Sequence, residues 1–179
     1  MKAIGSPSLD ASTRTPAVGT RNTRSGLASA WSWIVLGGLI VGTLDLVFAM
    51  SFWALRDVAP IRVVQGVAAW VLGRDDARAG GWTTALLGAG LHYYLMTAIV
   101  AVSHFASQHH TRLLRHPLRY GALYGAACFV LVHVIVVPLY SAAPPRTIQF
   151  DWYGACFAAH VVLVGIPCGL LARYWHTRG

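Results

Sequence analysis

After its first 29 residues the chain is a series of long apolar runs separated by short polar connectors. Four runs, Trp31 to Trp53, Thr84 to Phe105, Tyr120 to Tyr140 and Trp152 to Arg173, reach the roughly 20 residues that a helix needs to cross a bilayer core. In lipid a spanning segment must satisfy its own backbone polar groups, which a helix does. The pattern predicts an all-α, polytopic membrane protein, a four-helix transmembrane bundle over residues 30–179. A shorter run, IRVVQGVAAWVL, lies between Pro60 and Gly73. As a helix of about 18 Å it is too short to cross. It is expected to be a short interfacial helix, about residues 61–72, between the first two spans, on or dipping into the outer leaflet, where it caps the bundle or gates access to its interior. The following GRDDARAGG reads as an exposed, turn-rich connector, with Asp75 and Asp76 too few for a metal-binding loop.

Residues 1–29 carry Ser, Thr, Gly and Pro without apolar periodicity and are expected to form a disordered basic cytoplasmic tail. The hydrophobic run that follows exceeds a secretory signal core, and Pro7, Pro16 and Gly19 interrupt any amphipathic transit helix. The rest of the 179-residue chain, 56% hydrophobic and 11% charged overall, has too little polar surface for a soluble globule. Nine of the 14 Lys and Arg residues fall before the first span, between the second and third, or after the fourth. That bias puts both termini in the cytoplasm. The net charge of +8 flanks membrane spans instead of forming one aromatic-laced soluble face, which points to anionic lipid headgroups and away from nucleic acid. The densest patch is His109, His110, Arg112, Arg115, His116 and Arg119. Trp31, Trp33, Trp53, Trp82, Tyr120, Tyr140, Trp152 and Trp175 sit at span ends, as interfacial aromatics do.

Helices in lipid associate through close backbone approach at small residues. Gly38 and Gly42, Gly121 and Gly125, and Gly165 and Gly169 each form a GxxxG, and the second span holds Gly88 and Gly90. They predict a tight bundle and leave room for a homo-oligomer or a membrane-protein partner. Pro138 and Pro167 should each free a backbone carbonyl and kink their spans.

Each span also carries one buried-type ionisable residue at nearly the same height: Asp45, His92, His133 and His160. Asp45 is eight residues from Trp53, His92 eight from Thr84, His133 seven from Tyr140 and His160 eight from Trp152. At a rise of 1.5 Å per residue, alternating helices bring all four to a common depth of about 12 Å. A carboxylate left to lipid there costs at least about 2.5 kcal/mol, so the four should face inward as a buried polar layer. The layer can fix helix order without turnover, titrate as a proton or ion pathway, or bind haem or a divalent metal through Asp45, His92, His133 and His160. No HxxxH or ExxH pair marks a metal helix, so no cofactor is specified. Cys156 and His160 share a helix face at i, i+4, which suits a soft metal, but Cys128, Cys156 and Cys168 read foremost as small packing residues. His104 is expected at the interface beside His109 and His110, with membership of a second site as the alternative.

The chain has no Glu, no GxSxG, no HExxH and no phosphate loop, which argues against an enzyme. The function expected is that of a structural or accessory membrane component with a buried Asp/His layer; a proton or ion pathway, or a haem- or metal-binding bundle, is the alternative. GTLD in the first span, GAGLH in the second, RYGALYG and VVPL in the third and HVVLVGIP in the fourth resemble a group of small bacterial inner-membrane proteins of unknown function with four predicted spans. The resemblance covers about Trp31 to Arg173 and departs from an Asn-like polarity in the third span, where this chain has His133. It implies a bacterial inner-membrane location and no activity, cofactor or catalytic residue.

Overall fold

The computed structural model describes residues 23–144, 147 and 149–178. The described residues form helices α1 (Thr23–Ala54), α2 (Pro60–Leu72), α3 (Arg74–Ala79), α4 (Gly81–His109), α5 (Thr111–Arg115), α6 (Pro117–Phe129), α7 (Val137–Tyr140), α8 (Phe150–Ala159) and α9 (Ile166–Arg178), with no strand among them. π-helical segments, Val130–Val136 and His160–Gly165, join α6 to α7 and α8 to α9. Ala30–Ala54, Gly81–His109, Pro117–Tyr140 and Phe150–Thr177 are long and apolar enough to cross a membrane, which makes this an all-α, multi-pass bundle. Its outer surface agrees: Leu86, Leu123 and Leu139 are 71%, 66% and 69% exposed, and acyl chains are the medium in which such leucines are stable.

The spans run past the ends expected from hydropathy because the flanking residues contain no breaker until a backbone change stops them. The second begins at Gly81, whose φ of +56° suits glycine, and ends where His110 turns extended. Likewise α1 begins at Thr23, inside the stretch read as tail; residues 1–22 lie outside the described residues. The connector expected after Gly73 is in part helical. Asp75 and Asp76 occupy the first turn of α3 and Arg78 the last, a placement that opposes the helix dipole and supports even this short helix.

Glycines place the helices. The third and fourth spans run antiparallel with backbones in contact: a Cβ on Gly121 would lie 2.7 Å from the Gly165 carbonyl oxygen, one on Gly125 would overlap the His160 carbonyl, and one on Gly169 would lie 2.5 Å from that of Pro117. Gly38 and Gly42 receive Thr97 and Tyr93 of the second span, and Gly88 receives the Val64 carbonyl of α2. Among the described residues a Cβ on Gly90 would meet nothing within 4 Å, so Gly90 makes no close helix contact there.

Each proline acts through a π segment. Pro138 and Pro167 lack an N–H, and immediately before each the Val137 and Ile166 N–H groups reach back five residues to the Val132 and Val161 carbonyls. The backbone change expected at each of these prolines takes the form of a widened turn. It also changes the direction of the residues inside it.

Candidate functional site

Helix α2 lies against α4 and roofs one end of the bundle. Gln65 anchors it there: buried at 2% exposure, it donates through Nε2 to the Gly81 carbonyl (2.9 Å) and to Thr84 Oγ1 (3.3 Å), while Arg62 donates to its Oε1 (2.9 Å). The backbone N–H of Ala142 bonds the Trp70 carbonyl at 2.8 Å and ties the loop after the third span to the same helix. Arg56, stacked on Phe52, pairs with Asp151 at 2.6 Å and joins the end of α1 to the start of α8.

Beneath α2 is a cavity of about 710 Å³, the size of a small-ligand site. Arg62, Arg74, Arg78 and Gln149 line it near α2 and the loop, and Asp45, His92, His133, Cys156 and His160 line it within the spans. The structure thus brings all four ionisable residues singled out in the sequence to one space. They are not equivalent. Asp45 Oδ1 lies 3.9 Å from His160 Nδ1, and the His133 and His160 rings meet edge to face at 4.9 Å between centroids. His160 Nδ1 donates to the Cys156 carbonyl at 3.0 Å. His92 stands apart in its bonding: its Nε2–H donates to the Gly42 carbonyl of α1 at 2.9 Å, a contact that also fixes the first span against the second.

The π segments explain how His133 and His160 come to face each other. His133 lies inside one and His160 opens the other. Phe129, one turn before His133, stacks on the imidazole of His133 at 5.2 Å and meets that of His160 edge-on at 5.7 Å, which limits the rotation of both. The Cys156 thiol completes the group, with Sγ 3.6 Å from His133 Nε2 and 3.6 Å from His160 Nδ1. His133 Nδ1 is buried and finds no hydrogen-bond partner among the described residues.

Sequence reasoning placed Cys156 among packing residues, and Gln65 and Phe129 were not singled out. The i, i+4 relation of Cys156 to His160 was the available signal; its alignment with His133 needs the π turn. Cys128 and Cys168 do pack, in an apolar core with Val41, Met96, Val100 and Val164. His104 is 5% exposed, held by Gln108 at 3.0 Å and packed on Trp175 and His176 of the fourth span, away from the cavity. Its aromatic neighbours on the fourth span bury it.

Comparison with protein-family models, with curated proteins and with solved structures finds no match, so no family is assigned and the site is read from its own geometry.

Proposed function

We propose that this chain is an accessory protein of a bacterial inner membrane, with both termini cytoplasmic, whose bundle builds a ligand-binding cavity around Asp45, His92, His133 and His160. The observation that carries the reading is that these four residues, one from each span, line a single cavity of about 710 Å³. The basic loop supports the orientation: His109, His110, Arg112, Arg115, His116 and Arg119 lie together between the second and third spans, and all six are exposed, as contact with anionic headgroups requires.

Binding is favoured over conduction. Below the polar layer the helices close on Val41, Val100, Cys128, Val164 and Cys168, a mostly apolar plug with no charged group among its members. A second, structural role applies to His92 alone, because its bond to the Gly42 carbonyl holds two spans in register.

Thiol reactivity tests the cavity. Cys156 lines it, whereas Cys128 and Cys168 lie in the apolar core. A small water-soluble alkylating reagent added to the full chain in nanodiscs should modify Cys156 well before the other two. Equal, slow reaction of all three cysteines would remove the cavity and with it the proposed function.

A further inference from the structure

The geometry points to a site for a zinc-class divalent ion on the cavity wall, made by Sγ of Cys156, one imidazole nitrogen each from His133 and His160, and the carboxylate of Asp45. It rests on the cavity reading, since the ion enters through that space. One donor atom from each of His133, Cys156 and His160 lies within 4.8 Å of the other two. A tetrahedral ion with a sulfur ligand at about 2.3 Å and nitrogen ligands at about 2.0 to 2.1 Å holds sulfur and nitrogen about 3.6 Å apart. Both sulfur–nitrogen separations here are 3.6 Å. Asp45 Oδ1, 3.9 Å from His160 Nδ1, needs a shift of only about 0.6 Å to reach the oxygen–nitrogen separation of such an ion.

Charge selects the class of metal. A Cys156 thiolate and an Asp45 carboxylate with two neutral imidazoles sum to two negative charges, which a divalent ion cancels within the membrane and a monovalent copper ion does not. Calcium and magnesium prefer oxygen donors throughout. His92 is not a ligand, because its Nε2–H is committed to the Gly42 carbonyl and it belongs to the helix contact.

Binding is balanced by one proton, which leaves the Cys156 thiol for water in the cavity as the metal–sulfur bond forms. Where His160 binds through Nδ1, its proton moves to Nε2 and the bond to the Cys156 carbonyl is released. That carbonyl keeps the His160 backbone N–H as a donor and so stays paired through the rearrangement.

The test uses metal-stripped full-length protein in nanodiscs, with Zn²⁺ as ligand and Co²⁺ as optical probe. The expected result is one ion per chain, a thiolate-to-cobalt charge-transfer band, and slowing of Cys156 alkylation by Zn²⁺ of at least about tenfold. Cys156→Ser should abolish the band, and Cys128→Ser should keep it. Zinc protection is read on the unmodified chain, so a variant that fails to fold does not decide the matter. Cys156 that alkylates rapidly with and without Zn²⁺ overturns the metal site and leaves the cavity standing. Cys156 that never reacts and shows no cobalt band overturns both.

Discussion

The third and fourth spans meet twice along their length, in opposite ways. At the Gly121, Gly125, Gly165 and Gly169 seam their backbones touch, and no side chain fits between them. Beyond Phe129 the third span's π segment presents His133, and the facing stretch of the fourth span presents Cys156 from α8 and His160 at the head of its own π segment, to a cavity. Apolar burial gives little drive for helices to associate in lipid, so close approach at the seam supplies the anchorage. That anchorage allows the other end to hold polar groups apart from ideal packing. Stability is concentrated at one end of the pair and chemistry at the other.

Breaking the seam should have the largest effect. Gly165→Leu drives a side chain toward the Gly125 backbone, whose N and Cα would lie 2.5 and 2.6 Å from the new Cβ, and is expected to cost about 3 kcal/mol or more. Reversible unfolding in mixed detergent micelles measures it; a loss below about 1 kcal/mol would mean that the spans are anchored elsewhere. His92→Leu removes one hydrogen bond between the first two spans and should cost about 1 kcal/mol while zinc protection of Cys156 persists. Loss of that protection would put His92 in the ligand set. Asp45→Asn sharpens the contrast from the other side: stability should change by less than about 1 kcal/mol. Its zinc affinity should fall about 10- to 100-fold, read by competition with a chelator dye. Were it to unfold the bundle as far as Gly165→Leu does, the division between the two ends would collapse. The smallest change is expected of Gly90→Ala, where nothing lies within 4 Å of the added methyl, so helix propensity alone should leave stability equal or raise it by up to about 1 kcal/mol.

Much of this architecture was legible in the chain. Span length follows from the bilayer, and Pro60 to Gly73 bracketed α2 because proline opens a helix and glycine ends one. The inward turn of Asp45, His92 and His160, at 9%, 6% and 2% exposure, follows from the cost of leaving them in lipid. The paired GxxxG glycines marked their seams, though Gly90 shows that a small residue alone does not name a contact. The cluster was harder to read because it depends on azimuth. Hydropathy fixes depth along a helix, but a π turn inserts an extra residue into one turn and rotates every later side chain about the axis. Pro138 flagged the disturbance without stating its direction, so the side on which His133 meets Cys156 was not readable and Cys156 looked like packing. Buried Gln65 was invisible for another reason: its partners, Gly81 and Thr84, lie 16 and 19 residues away across a turn.

The claim on which the account turns is that His133 and His160 face each other, with Asp45 beside them, in the bilayer. Solid-state NMR of the full chain in lipid, with isotope-labelled histidine and aspartate, measures this directly. The account predicts cross-peaks between the His133 and His160 imidazoles, whose centroids are 4.9 Å apart, and between His160 and the Asp45 carboxyl. Spectra of an intact helical protein in which His160 contacts lipid acyl chains and neither partner would contradict it.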